Sequence, residues 1–243
     1  MNNKYNIVYI LCIILFIILF LIYVFQPIFE GFHKKNEDYH IVCANYDKSV
    51  DFLKGIEMPN TIIKKGTDVP NKANEATSYL HYIISNYENL PNNIVFIHDE
   101  DESWHHKGKI SENIYQWIKS YEDNGKKYYE FNNVLFHKNG TNMPKNLYDE
   151  NPVFKKYWDQ CLRKNIGDYS NAIPEEGKCC AQFIVSRNKI LQKPKEFYVN
   201  MYNWFIENTH GEGNGDKENL NSSFNTGRYA EWTWRFIFSD KNM

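Results

Sequence analysis

Apolar positions change their spacing several times along the chain, and each change predicts an element. Residues 7–25 are an unbroken apolar run of about 19 residues without a charge, closed by Gln26-Pro27. After a polar stretch, His40-Ile41-Val42-Cys43-Ala44 is a short apolar run of buried-strand type, ended by Asn45-Tyr46-Asp47-Lys48. Val50, Leu53 and Ile56 then recur at helical spacing, and Gly55 and Pro59 limit that helix to a turn or two. Residues 60–64 predict a second strand, turned by Gly66. Tyr79, Leu80, Ile83, Ile84 and Tyr87 fall on one helical face and predict a helix over 76–87, opened by Asn74-Glu75. Asn93-Ile94-Val95-Phe96-Ile97-His98 is the next buried-type strand.

The second half is less regular. Residues 132–174 predict a loop-rich middle. A strand over 180–186 and a helix over 194–208 follow, the latter with Phe197, Met201, Trp204 and Phe205 as a core-facing stripe. The polar, Gly-rich stretch 209–225 predicts a mobile surface loop, and residues 229–238 an aromatic amphipathic helix.

Strands alternating with helices predict an α/β domain over 40–243, Rossmann-like, with a mostly parallel sheet. In such sheets a ligand binds beyond the carboxyl ends of the strands. Asn45, Asp47 and His98-Asp99-Glu100-Asp101 fall at that edge.

Composition changes the view of the N-terminus. The 243 residues are 42% hydrophobic, yet mean hydropathy is −0.62. Setting residues 1–25 aside leaves a remainder of roughly 37% apolar residues, an ordinary globular composition. The sequence therefore predicts a short tail over 1–6, one transmembrane anchor over 7–25 in contact with the lipid bilayer, a stem over 26–39 and a single domain. A cleaved signal peptide would need a shorter apolar region and small residues at its end. The expected location is a single-pass membrane protein. Lys4 before the span and Lys34 and Lys35 after it bias the domain only weakly toward the cytoplasmic side. The sequons at Asn139 and Asn221, and Cys43, Cys161, Cys179 and Cys180, do not decide the side. With 28 basic and 30 acidic residues, nothing points to a nucleic-acid partner.

Candidate chemistry gathers in His98-Asp99-Glu100-Asp101-Glu102-Ser103-Trp104-His105. Asp99 and Asp101 beyond a buried strand offer hard oxygen ligands for Mg²⁺ or Mn²⁺, and His98 and His105 could ligate a softer metal. Glu231 is a candidate general base at the start of the last helix. Arg187 and Arg228 are candidates for holding phosphate. There is no Walker lysine signature, dinucleotide fingerprint or Gly-x-Ser-x-Gly elbow.

Ala73-Asn74-Glu75-Ala76, Tyr79-Leu80, Val95-Phe96-Ile97-His98, Trp104-His105, Cys179-Cys180-Ala181-Gln182-Phe183 and Gly227-Arg228-Tyr229-x-Glu231 together resemble the family catalogued as domain of unknown function 3431. The resemblance runs from about His40 to Phe238, and Asp99-Glu100-Asp101 departs from the family's usual pattern. The layout also resembles GT-A glycosyltransferases: two opening βα units, an Asn-bearing helix, a strand ending in Asp-x-Asp, and a later helix-borne Glu. That likeness implies a membrane-anchored enzyme moving a sugar from a nucleotide sugar to a glycan or other hydroxyl acceptor. Asp99 and Asp101 would hold the diphosphate through a metal, Asn45, Asp47 and Glu75 would contact the nucleotide, and Glu231 would be the base. Arg187 or Arg228 would steady the leaving group, and Trp104, Trp232 and Trp234 could meet sugar rings. Two other readings stay open: a metal-dependent hydrolase built on His98, Asp99, Asp101 and His105, and a non-catalytic membrane-tethered adaptor.

Overall fold

The computed structural model describes residues 13–24, 38–104, 106–125, 127–132, 135–137, 147–169, 176–178, 181–213 and 215–238. The chain divides into two compact units, Met1–Asp38 and Tyr39–Met243. In the first, residues 13–24 are helical. Among the described residues no helix is long and apolar enough to cross a membrane. The expected anchor over 7–25, and the single-pass membrane location drawn from it, are corrected on that ground. Residues 7–12, 25 and the stem positions 26–37 lie outside the described residues.

The second unit opens with β1 (Tyr39–Asn45), a 3₁₀ turn (Asp51–Gly55), β2 (Asn60–Lys64), α1 (Ala76–Asn86) and β3 (Asn93–His98). Next come α2 (Ile110–Asp123), β4 (Tyr128–Glu130), β5 (Leu135–His137), and the short helices α3 (Leu147–Glu150), α4 (Pro152–Tyr157) and α5 (Arg163–Ile166). The last elements are β6 (Glu176–Lys178), β7 (Phe183–Ser186), α6 (Arg187–Ile190), α7 (Lys195–Asn208) and α8 (Ser223–Phe238).

Five strands form one sheet in the order β2-β1-β3-β7-β4, and β5 pairs with β6 apart from it. β1 runs parallel to β2 and β3, whereas β7 runs antiparallel to both β3 and β4. The fold is mixed α/β, and the mostly parallel sheet expected from the alternation of elements is corrected to a mixed one. A four-residue apolar strand carries no mark of its direction; the long connection between β3 and β7 leaves it open to either sense.

Alternation along the strands sends side chains to two cores. Val42, Ala44, Ile94, Phe96, Phe183 and Val185 pack beneath α1, α7 and α8 with Tyr79, Met201 and Trp234. Ile41, Cys43, Val95, Ile97 and Ile184 pack on the other face with Ile110, Ile114 and Ile118 of α2. Both faces are thus covered, so the inner strands β1, β3 and β7 are apolar along most of their length, whereas the edge strands β2 and β4 are not.

The middle expected to be loop-rich contains α3 to α5. Asn151 caps α4 by accepting from the amides of Val153 and Phe154, with Pro152 in the first turn. Phe154, Tyr157 and Trp158 are completely buried, and a π turn over Trp158–Leu162 leads into α5. α8 also begins at Ser223, earlier than expected: Ser222 stands just before it and its hydroxyl accepts from the Asn225 amide at 3.3 Å.

Candidate functional site

The carboxyl ends of β1, β2 and β3 open on a cleft of about 190 Å³. Tyr46, Lys65, Asn71, Asn74, Glu75, His98, Asp99 and Glu100 supply its polar lining. The edge is the one expected for a ligand in a sheet of this kind.

Asp99 follows β3 directly and is nearly buried. Its Oδ2 accepts from Asn45 Nδ2 at 3.1 Å and from the amides of Tyr46, Asp47 and Lys48 at 2.7, 3.3 and 3.2 Å. Four donors on one carboxylate oxygen close the loop after β1 around it, an arrangement that also sets Tyr46 on the cleft rim. Asp101 does different work. Its Oδ1 accepts from the Ser111 amide and its Oδ2 from the Ser111 hydroxyl, both at 2.8 Å, which holds the first turn of α2. The two carboxylates are therefore engaged with different elements, and they do not fit a chelating pair for Mg²⁺ or Mn²⁺. Among the described residues no group of three or more His, Cys, Asp or Glu could hold a metal ion. His105 lies outside the described residues, as do Cys179 and Cys180.

A second carboxylate pair forms from residues far apart in the chain. Glu75 precedes α1 and is buried against the cleft. Its Oε2 lies 3.7 Å from His98 Nε2, while its Oε1 has no hydrogen-bond partner. Burial pushes the Glu75 pKa well above the ordinary carboxylate range, and the nearby charge of Glu231 pushes it further; Lys65 opposes them. Glu231, in α8, is raised by burial as well, against the pull of Arg228 and of Asn74, whose Nδ2 donates to its Oε1 at 3.5 Å.

The turn that presents Glu75 is strained. Ala73 and Asn74 are consecutive non-glycine residues at positive φ, 52° and 46°. Such conformations cost about 1 kcal/mol or more each and persist only where the surroundings enforce them. Here Lys72 Nζ donates to the Ile206 carbonyl at 2.7 Å, and the Gly213 amide donates to the Asn71 carbonyl at 3.1 Å. Gly227 of α8 completes the clamp: a Cβ there would lie 2.7 Å from Asn74 Cβ and overlap the amide group. Two sequence motifs, Ala73-Asn74-Glu75 and Gly227-x-x-x-Glu231, thus interlock at one point.

Lys65 stands one residue beyond β2, at the same edge. Its Nζ donates to the Lys72 carbonyl at 3.0 Å and to Thr77 Oγ1 at 3.4 Å. Burial pulls its pKa down to about 8, against the opposing charge of Glu75. Tyr79 lies fully buried under the cluster, its hydroxyl without a hydrogen-bond partner. Burial raises its pKa, and the charges of Glu75, Cys43, Asp99 and Glu231 all add to the rise.

Of the residues expected from sequence, Asn45, Asp47, Glu75, His98, Asp99 and Glu231 come together around the cleft or its walls. Arg187 does not. Its amide donates to the Asn92 carbonyl and its guanidinium to the Glu88 carbonyl at 3.3 Å, which places it at the amino end of β3. The reversed direction of β7 carries it to the edge opposite the cleft. Arg228 lies over the rings of Phe224 and Trp232, at 4.9 and 5.7 Å, beside Glu231. Trp232 and Trp234 belong to the core, whereas Trp104 is 70% exposed. Lys65 and Tyr79 carried no expectation. Lys65 was signalled by its place directly after an apolar strand at the ligand edge; Tyr79 was masked by its membership of a core stripe.

The fold is mixed α/β, with a carboxylate-lined cleft at the strand ends. Residues 49–243 match the family described as Protein of unknown function (DUF3431), and the chain belongs to that family. The match begins after β1, so Asn45 and Asp47 precede it while Glu75, His98 and Glu231 lie within it. No curated protein and no solved structure matches the chain.

Proposed function

We propose that the domain is a glycosyl-transferring enzyme that moves a sugar from a nucleotide-sugar donor to a hydroxyl acceptor, with the Glu75–Glu231 pair as its proton-transfer device. The observation that carries this is Glu75, which lines the cleft with one carboxyl oxygen buried and without a partner, beside the charge of half-buried Glu231. A carboxylate whose pKa is raised by burial and like charge is a stronger base toward a hydroxyl proton. Glu75, which lines the cleft, takes the role first expected of Glu231, and Glu231 acts on it through its charge. In the step, the acceptor oxygen bonds to the anomeric carbon as the bond to the diphosphate oxygen breaks. The acceptor proton passes to Glu75, and the nucleoside diphosphate leaves with the bonding electrons.

Arg228, whose charge acts on Glu231, is a candidate to meet the leaving group. No step is assigned to a divalent cation, because Asp99 and Asp101 are held by the loop after β1 and by Ser111. The test is a panel of nucleotide sugars offered with simple sugar acceptors, read as release of nucleoside diphosphate. Acceptor-dependent release from at least one donor, lost in Glu75→Gln, is expected. Folded protein that releases no nucleoside diphosphate from any donor would sink the proposal.

A further inference from the structure

Three properties of the cleft limit what it can hold. The first is size. The cleft measures about 190 Å³, below the range of about 300–1,000 Å³ usual for sites that enclose a drug-sized ligand. A nucleotide would not be enclosed there. The second is charge. Glu75, Asp99 and Glu100 line the cleft against the ammonium of Lys65, which is already committed to the Lys72 carbonyl and Thr77. An anionic group would meet carboxylates with no uncommitted cation among the described lining residues to offset them. The third is hydrogen-bonding demand. Glu75 is 7% exposed and its Oε1 has no partner, so the missing component is an O–H or N–H donor.

An aromatic ring completes the set. Tyr46 lines the cleft with 54% of its surface exposed, and the 2.7 Å bond from its amide to Asp99 fixes its backbone. A ligand with one apolar face and a rim of hydroxyls matches a ring standing beside carboxylates and the amides of Asn71 and Asn74.

We infer that the cleft is an acceptor-side subsite for one sugar ring that is neutral or carries an amine: Glu75 and Glu100 accept from its hydroxyl or ammonium hydrogens while Tyr46 covers its apolar face. Resting on the transfer reading above, this assignment names the substrate class of that site and puts the donor's diphosphate outside it.

Saturation-transfer NMR on the full chain tests it with D-glucose, D-glucosamine and D-glucose 6-phosphate as probes, without any donor. Glucose and glucosamine should receive saturation and displace one another, and glucose 6-phosphate should receive none. Tyr46→Ala and Glu100→Gln both change exposed side chains; the first should weaken binding by up to about tenfold. Glucose 6-phosphate binding as well as glucose would overturn the inference, as would binding unchanged in both variants or no binding by any probe. Sugar binding without transfer in the donor panel would sink the enzyme and leave the subsite. Transfer indifferent to Tyr46→Ala and to acceptor charge would do the reverse.

Discussion

Two pairs of carboxylates stand within one site, and they have opposite fates. Asp99 and Asp101 are two residues apart in sequence, yet each is engaged with a different piece of backbone. Glu75 and Glu231 are separated by most of the domain, yet each feels the fold at one point: Glu75 is buried with one oxygen short of a donor and raised by the charge of Glu231, which is half-buried and accepts from Asn74. Nearness in sequence supplied the conspicuous motif; the fold supplied the pair with unsatisfied chemistry. Carboxylates with enough donors are held in place, whereas a buried carboxyl lacking one raises its pKa and becomes reactive.

The largest effect should come from the second pair. Glu75→Gln keeps the shape and removes the base, so transfer should fall by about a hundredfold or more, read as nucleoside diphosphate release. The same variant should gain stability at neutral and alkaline pH. A carboxyl whose folded pKa is raised contributes stability that is fully present below its unfolded value and lost as pH rises through the folded one. Gln has no proton to lose, so melting curves of the two proteins should agree near pH 4 and diverge above it. Wild type melting no lower than the variant at pH 8 would contradict the burial argument.

The first pair should respond in stability rather than chemistry. Asp99→Ala strands the donors of the 45–48 loop and should cost about 3 kcal/mol, or on the order of 10 °C in Tm for a domain of this size. Adding Mn²⁺ should not restore it, since its partners are amides.

Gly227→Ala falls between Asp99→Ala and Asp101→Ala in magnitude. The added methyl must displace Asn74 from its left-handed turn, costing about 2 kcal/mol by overpacking. Because Asn74 holds Glu231, the acid limb of the activity profile should move with the stability loss. Loss of stability with an unmoved limb would uncouple the clamp from the site. Asp101→Ala should cost less, about 1 kcal/mol, the usual range for a lost helix-terminal acceptor, with transfer unchanged in a folded sample.

Much of this arrangement is legible in the residues. β1, β3 and α1 follow from buried apolar runs and from the stripe through Tyr79, Leu80 and Ile83, and they alone locate the ligand edge. What fails does so for physical reasons. Phe183–Ser186 reads identically in either direction, so neither the mixed sheet nor the position of Arg187 could follow from it. α2 has no start signal to match the helical spacing of Ile110, Ile114 and Ile118, because Lys109 stands at its N-cap with no capping side-chain bond. The apolar run at 7–25 suggested a bilayer span; the described helix covers only 13–24 of it. Glu75 and Glu231 were visible singly, but convergence over such a distance has no local signature.

The smallest expected effect is the one that separates the two members of the buried pair. Glu231 raises the Glu75 pKa through its charge, second only to burial. Replacing it by Gln removes a like charge, so the Glu75 pKa should fall and the acid limb of activity should move to lower pH. A shift of one pH unit corresponds to about 1.4 kcal/mol, an upper bound for a neighbour that is not the main cause. Activity above the limb should stay within about tenfold of wild type, since the group that takes the proton is still present. If Glu231→Gln instead abolishes transfer as completely as Glu75→Gln, the base is Glu231 and Glu75 is its positioning neighbour. A pH profile of both variants distinguishes these roles because only a neighbour can be removed and leave a displaced limb behind.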